Sequence, residues 1–415
     1  MKKYVSLFVA LLLSVTLFSK DQQHEVSVIN VVVPVRVFEG NRFVADLTKE
    51  DFEIYENDKL QNIEAFYLVN KEQIERKEAV LDFEPQLLRN YYLIFQISEY
   101  NPRFNETIDY LFEKVLLPGD TLTIMTPMGN YVLPNKALKI KSKESLAKEM
   151  QRIVRKDTST GGANYRNLIT NLRRLVRSIS AAGGVEADGA SATDIDSDSA
   201  SNALGSASRN LGFLLASYRS TLQNLDKLRL IDENKFIQFA RSIKRLKGQK
   251  NVFFFYEREF RPEISDKILG QMMNRYQDEP NIQGDLQDLF QFYQRHVTLN
   301  VGKIQQIFAD ASIIFNFIFI TKDPGVFSGI NMREQSEDVF NVFTQVARAT
   351  GGIVDNSQNP AYAFTSANRL SEMYYLLYYT PADYQEDGKF KSIKVKVKGK
   401  NYNISHRFGY IAGLK

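Results

Sequence analysis

The feature that most constrains the fold is a set of three almost wholly apolar runs, at residues 91–97, 252–256 and 313–320. Apolar runs of about 4 to 8 residues are typical of β-strands, and strands without a polar face belong to sheets that are covered on both sides. Amphipathic helix patterns separate the runs, for example at residues 108–115 and 211–228. The sequence therefore predicts an α/β fold with a doubly wound, mostly parallel sheet.

Strand patterns of another kind lie at both ends of the chain. Residues 26–38 are rich in Val and Ile, and a turn around Gly40 predicts a hairpin. Residues 374–379 form an apolar run, and residues 392–398 alternate apolar residues with Ser or Lys. We expect these lysines to form a solvated edge that discourages aggregation, rather than a ligand site. The patterns predict an N-terminal β segment at residues 20–85 and a C-terminal β segment at residues 371–415.

The first residues predict export. Lys2 and Lys3 precede an apolar stretch at residues 4–18, and Ser19 offers a cleavage point, so residues 1–19 are predicted to be a signal peptide. An uncleaved anchor is the alternative, but a membrane span needs about 20 apolar residues. No later run is long enough for a transmembrane segment in the mature chain. The sequence has no cysteine, which argues against disulfides, thiolate metal sites and a lipoprotein anchor. We therefore expect an exported protein that is periplasmic, secreted or at the cell surface.

Charge and motifs argue against two classes of function. The net charge is +4, and the lysines and arginines are spread along the chain instead of forming a basic patch for nucleic acid. The three histidines, His24, His296 and His406, are far apart and form no metalloprotease motif. The sequence also lacks a nucleophile elbow and a phosphate-binding loop. It therefore predicts neither a nucleic-acid partner nor an enzyme.

The patterns at the two ends of the chain resemble a known family. VPVRV at residues 33–37 and LTKEDFEIYEN at residues 47–57 are similar to the opening of bacterial von Willebrand factor type A-related domain proteins. Their closing pattern is similar to YYLLYYTP at residues 374–381, GKFKSIKV at residues 388–395 and GY at residues 409–410. The resemblance implies a von Willebrand factor A-like α/β domain at residues 86–370. By similarity to integrin architecture, it also implies that the N- and C-terminal strands form a β-sandwich that flanks this domain or contains it as an insertion.

Two segments of the central domain differ from their surroundings. Residues 181–208 are rich in Ala, Gly, Ser and Asp, which predicts a flexible loop. Asp194, Asp196 and Asp198 resemble the start of a calcium loop, but the later Gly and Glu of such a loop are missing. Residues 263–297 are predicted to be a helical insertion, whose Met and aromatic residues we expect in a core, with a recognition surface as the alternative.

The resemblance also implies a metal site, and this sequence departs from the family pattern there. Such domains hold Mg²⁺ or Mn²⁺ with an Asp-x-Ser-x-Ser loop, a Thr from a second loop and an Asp from a third. Here Ser98 is retained, while Gln96, Tyr100, Ala163 and Glu257 replace the first Asp, the second Ser, the Thr and the last Asp. Too few oxygen ligands remain for a hard cation. The sequence therefore predicts a degenerate site and no cofactor, with Mg²⁺ as the alternative.

The same three loops contain the candidate residues for partner binding. Arg258 adds a positive charge that disfavours a divalent cation, and we expect it to pair with Glu99 or Glu257. Open α/β sheets bind ligands at the carboxyl ends of their strands, so Ser98, Glu99, Glu257 and Arg258 are the candidates. The sequence predicts an exported protein–protein interaction or scaffold module without catalysis, whose protein partner is unidentified. The alternative is a metal-dependent adhesin that retains a divalent cation through Ser98 and Glu257.

Overall fold

The computed structural model describes residues 29–79, 85, 87–134, 136–182, 197–229, 231–293, 299–327 and 330–413. The predicted signal peptide, residues 1–19, lies outside the described residues. Within the described ranges, no helix combines the length and the apolar character that crossing a membrane requires.

The strands of the described chain form four sheets. They are β1 (Val31–Glu39), β2 (Arg42–Phe43), β3 (Phe52–Glu56), β4 (Lys59–Gln61), β5 (Ala65–Asn70), β6 (Gln73–Ala79), β7 (Arg89–Gln96), β8 (Thr121–Met125), β9 (Asn130–Leu133), β10 (Gln249–Glu257), β11 (Phe260–Glu263), β12 (Ile313–Ile320), β13 (Asn331–Glu334), β14 (Val354–Ser357), β15 (Met373–Tyr379), β16 (Phe390–Val397), β17 (Asn403–His406) and β18 (Gly409–Ile411).

The helices lie mostly between the strands of the central region. They are α1 (Phe104–Tyr110), α2 (Ala137–Ile140), α3 (Lys143–Gly161), α4 (Ala163–Ala182), α5 (Ser197–Arg229), α6 (Glu233–Lys244), α7 (Asp266–Arg275), α8 (Pro280–Tyr293), α9 (Val301–Asp310), α10 (Glu337–Ala349) and α11 (Pro360–Glu372). A π-helical turn, Leu111–Val115, follows α1, and a 3-10 turn, Lys49–Asp51, precedes β3.

The three apolar runs of the sequence form the middle of one six-stranded sheet, which we call the mixed sheet. Its strand order is β14-β12-β10-β7-β8-β9, and all neighbours are parallel except β8 and β9. Helices α1, α3 and α11 pack on one face, and helices α6, α9 and α10 pack on the other. Every residue of β12 is buried. The strand predictions for these runs are therefore confirmed.

The strands from the two ends of the chain pair with each other. One sheet has the order β17-β1-β15-β5-β6, with β2 on β1, and another has the order β18-β16-β3-β4. Their facing sides share a core that includes Val33, Ile54, Phe66 and Tyr375. Oε2 of the buried Glu56 accepts hydrogen bonds from the hydroxyls of Tyr379 (2.7 Å) and Tyr410 (2.9 Å). The two ends of the sequence therefore bury apolar faces that neither could bury alone.

The predicted fold class is wrong. Parallel pairing is confined to part of the mixed sheet, and every pairing in the other three sheets is antiparallel. The chain is therefore not a doubly wound, mostly parallel fold of the von Willebrand factor A type. The apolar runs marked buried strands correctly, but the direction in which a strand pairs depends on distant segments, which a local hydrophobic pattern does not encode.

The segments between β9 and β12 form a second helical region with its own core. Helices α4, α5, α7 and α8 contribute apolar side chains such as Leu172, Leu215, Met272 and Leu286 to it. The predicted helical insertion at residues 263–297 is helical at α7 and α8, and residues 294–298 lie outside the described part. The predicted flexible loop at residues 181–208 is wrong at both ends, because α4 extends to Ala182 and α5 already begins at Ser197. Alanine favours helix in this segment; residues 183–196 lie outside the described part.

The two ends of the mixed-sheet strands have different surroundings. Arg407, which follows β17, donates a hydrogen bond to Ser312 Oγ (2.6 Å) just before β12 begins. Tyr374 of β15 lines a small pocket together with Arg89 and Gln249, the first residues of β7 and β10. The terminal strands therefore lie at the amino ends of the central strands, and the predicted site lies at their carboxyl ends.

Candidate functional site

Ser98 and Glu257 meet at the carboxyl edge of the mixed sheet. Glu257 is the last residue of β10, Ser98 follows the neighbouring strand β7, and both side chains are buried. Oε1 of Glu257 accepts a hydrogen bond from the Ser98 backbone nitrogen (2.7 Å) and another from the Ser98 hydroxyl. Parallel neighbours bring the ends of distant segments together, so this adjacency follows from the register of β7 against β10.

Lys322 supplies the positive charge at this edge. Its Nζ lies 3.4 Å from Oε2 of Glu257 and 3.9 Å from a carboxylate oxygen of Glu99. Lys322 follows β12, so three neighbouring strands each contribute one polar residue to the cluster. Burial raises the pKa of the Glu257 carboxyl above its ordinary value, while Lys322 and the hydrogen bonds from Ser98 oppose that shift.

The junction between α3 and α4 closes the cluster from another side. A Cβ atom at Gly162 would overlap the carbonyl oxygen of Ser98, so the backbone can approach this closely only at a glycine. One turn later, the Arg166 guanidinium donates hydrogen bonds to the carbonyl oxygens of Ser98 and of Ser159 (2.6 Å). Ala163 is the first residue of α4 and has no side-chain oxygen to offer a cation.

The remaining predicted residues do not join the cluster. Gln96 is exposed at the end of β7. The Tyr100 hydroxyl donates to Asn105 Oδ1 (2.5 Å), and its ring packs near Phe104 of α1. The expected pairing of Arg258 with Glu99 or Glu257 is wrong, because its Nε lies 2.9 Å from Oε2 of Glu334 in β13. Arg258 follows β10 directly, but the antiparallel pair of β11 and β13 brings Glu334 close to it.

A pocket of about 230 Å³ opens beside the cluster. Arg173 of α4 lies on its wall with its guanidinium 4.1 Å from the ring centroid of Phe327. Burial lowers the pKa of this guanidinium. The charged side chains of the lining are Glu99, Arg166, Arg173, Lys322 and Asp323. Charges of both signs therefore surround this pocket, and the side chain of Glu99 is 59% exposed.

Sequence reasoning missed Lys322, Arg166 and Arg173. Lys322 lies two residues beyond the third apolar run. Open α/β sheets bind ligands at the carboxyl ends of their strands, so the residues after this run were candidates as well. Arg166 and Arg173 are seven residues apart in α4, a spacing that places them on one face of a helix. That spacing was visible in the sequence, but nothing local indicated that this face would lie against the end of β7.

The groups of the cluster that could hold a metal ion are already engaged with each other. Among the described residues, no three His, Cys, Asp or Glu side chains lie close enough to hold one metal ion together. The possible ligands at the predicted site, Ser98 and Glu257, are hydrogen-bonded to each other, and Lys322 contacts the second carboxylate oxygen. His406 is the one histidine in the described ranges, and it lies in β17 near the amino ends of the central strands.

Comparisons with protein-family models, with curated proteins and with solved structures gave no match to this chain. The resemblance of the two end patterns to von Willebrand factor type A-related domain proteins therefore stays a prediction.

Proposed function

We propose that this protein is an exported protein–protein interaction or scaffold module, without catalysis, that contacts its partner through the carboxyl edge of the mixed sheet. The observation that carries the proposal is the Glu257 carboxylate, whose charge is already balanced inside the protein by Lys322. A carboxylate whose two oxygens already contact Ser98 and Lys322 has little left to offer a cation. What remains available to a partner is the ring of charged side chains around it.

The size of the adjacent pocket supports a protein partner over a small molecule. Pockets for small molecules and cofactors are commonly about 300 to 1,000 Å³. The pocket here has about 230 Å³, which suits one or two side chains of another protein. Exposed charges at the rim of an interface contribute mainly to specificity and to the rate of association. Glu99 and Asp323 are exposed and are placed to act in this way.

Support for export comes from the sequence alone. The basic residues Lys2 and Lys3 and the apolar stretch that follows them form the pattern on which this part of the proposal rests. The resemblance of the end patterns to a family with adhesion-type domains also favours an interaction role.

A metal-dependent adhesin that retains a cation through Ser98 and Glu257 is the alternative, and it has less support. A divalent ion at Glu257 would have to displace the Lys322 ammonium, and the loops supply few other oxygen ligands. Calorimetric titration with Mg²⁺ and Mn²⁺ separates the two functions. We expect no stoichiometric binding below about 1 mM, a level at which a dedicated site would be occupied; binding below that level would favour the adhesin.

Site-specific photo-crosslinking in the native cell envelope tests the contact surface. A crosslinking residue at the exposed Gln96 should capture a protein, whereas one at the exposed Lys394 of β16, far from the edge, should not. The substitutions Glu99→Lys and Asp323→Lys should each reduce capture at Gln96 about tenfold by reversing an exposed rim charge. Lys394→Glu is the matched charge reversal and should leave it unchanged. Capture at Gln96 that withstands both edge substitutions would exclude this surface.

A further inference from the structure

A second cavity, of about 500 Å³, lies where the terminal strands meet the helices of the mixed sheet. Residues of β1 and β17 form one side, and the end of α10, the segment before β14 and Leu370 of α11 form the other. It lies near the amino ends of the central strands, so it is separate from the candidate partner surface at their carboxyl ends.

Arg36 of β1 is the buried cation of this cavity. Its side chain lines the cavity, and the residue is only 3% exposed. Nη1 donates a hydrogen bond to the carbonyl oxygen of Gly351 (3.0 Å), whereas Nε and Nη2 have no hydrogen-bond partner in the described part of the chain. Burial lowers the pKa of the guanidinium to about 10. A buried charge with unused donors and no counter-charge is costly, and a nearby anion would offset that cost.

The rest of the lining adds a second positive charge and no negative one. Arg348 of α10 lies on the wall and is exposed, and no residue that lines the cavity is Asp or Glu. His406 is already satisfied, because Nε2 accepts from the Val395 backbone nitrogen (3.3 Å) and Nδ1 lies 2.8 Å from the carbonyl oxygen of Arg407. Phe38, Ile353 and Leu370 make other parts of the wall apolar.

We propose that this cavity binds a small organic anion, whose charge is balanced by Arg36 and Arg348 and whose apolar body packs against Phe38, Ile353 and Leu370. The volume lies within the range of about 300 to 1,000 Å³ that is typical of small-molecule sites. A carboxylate and a phosphate monoester both supply anionic oxygens that suit an arginine. A bound anion would touch both the terminal strands and α10, so it would also stabilise the junction between them.

Calorimetry and thermal unfolding of the full chain test the proposal with defined probes. The probes are hexanoate and hexyl phosphate, each compared with an uncharged analogue, hexanamide and hexanol. At least one anion should bind with a Kd below about 10 mM and raise the Tm, whereas its uncharged analogue should bind at least about tenfold more weakly. Preference for one anion identifies the headgroup. If neither anion binds in this range, or if the uncharged analogues bind equally well, the proposal is wrong.

Three variants locate the binding. Arg348→Gln should weaken binding of the anion about tenfold, because it removes an exposed charge at the wall without disturbing the core. Arg36→Met should abolish binding of the anion. If that variant does not fold, the affinity of Arg348→Gln alone tests whether the anion binds in this cavity. Arg369→Gln changes an exposed arginine that lines a neighbouring cleft and should have no effect. Unchanged binding by Arg348→Gln would overturn the proposed site.

Discussion

The Nζ of Lys322 lies 3.4 Å from Oε2 of Glu257, and the other oxygen of that carboxylate accepts hydrogen bonds from Ser98. These three residues follow or end three neighbouring parallel strands, β12, β10 and β7. The arrangement therefore joins the strand ends at one edge of the mixed sheet and neutralises the buried carboxylate there.

Removing the lysine should destabilise the protein. In Lys322→Met, the buried Glu257 carboxylate loses its counter-charge, and we expect the free energy of unfolding to fall by about 1 to 3 kcal/mol at neutral pH. Urea unfolding measures the loss. Lys303→Met is the matched control, because Lys303 and Glu233 are also 3.4 Å apart but more exposed to solvent, so that loss should be smaller. Equal losses in the two variants would contradict a special role for the buried pair.

The cost of Lys322→Met should depend on pH. The folded-state pKa of Glu257 is raised above its ordinary value of 4.5, so the carboxyl takes up its proton at higher pH in the folded protein than in the unfolded chain. Lys322 stabilises only the ionised form. The substitution raises this pKa further, so the loss should be full above the folded-state pKa of Glu257 in the variant and should shrink as the pH falls below it. In a Glu257→Gln background the same substitution should show no such trend, whereas a trend that persists there would point to another group.

Close packing of Gly162 against Ser98 predicts the effect of adding one methyl group. Gly162→Ala should lower the free energy of unfolding by about 1 to 3 kcal/mol, because the new Cβ overlaps the Ser98 carbonyl oxygen. Gly284→Ala is the control, since this helical glycine of α8 has open space where its Cβ would be. That variant should be neutral or up to about 1 kcal/mol more stable, because alanine favours helix. Chemical denaturation of both variants checks the prediction, and a harmless Gly162→Ala would contradict the close contact.

Lys250 predicts a pH dependence of stability on the alkaline side. It is buried in β10 and donates to the carbonyl oxygen of Ala311 (3.0 Å). Burial, and secondarily Arg407, lowers its pKa from 10.5 to about 8. Between these values the unfolded chain binds more protons than the folded protein, so this lysine makes stability rise with pH in that window.

The difference in unfolding free energy between the wild type and Lys250→Met should therefore increase from about pH 8 to about pH 10. Tyrosines that ionise in the unfolded chain are common to both proteins and cancel in this difference. The exposed Lys394→Met is the control, and its difference from wild type should stay constant with pH. A constant or falling difference for Lys250→Met would show that this lysine keeps an ordinary pKa.

Much of the local structure could be predicted from the sequence. The run at residues 313–320 is β12 to the residue, the run at residues 252–256 lies in β10, and the run at residues 91–97 lies in β7 except for Ile97. Ser98 and Glu257, which the sequence places after or at the end of two of these runs, lie together and are hydrogen-bonded. These features follow from local hydrophobic patterns and from the rule that polar residues after buried strands gather at one sheet edge.

The partners of individual charges could not be predicted in this way. Arg258 is adjacent to Glu257 in sequence, but its ion pair is with Glu334, whereas Lys322 reaches Glu257 from 65 residues away in the chain. Arg36 alternates with valines in a strand pattern, and only the packing of β1 against the end of α10 buries it beside a cavity. The antiparallel strand pairing that contradicts the predicted fold class also depends on segments far apart in the chain, so it could not be predicted from local patterns either.

The sequence by itself determined where buried strands and helices form, because the spacing of apolar residues reflects which faces must leave water. Only the tertiary structure decided which strands pair, in which direction, and which charges meet. Those outcomes depend on the free energy of contacts between segments far apart in the chain, and that free energy depends on burial and neighbours that a single segment does not specify.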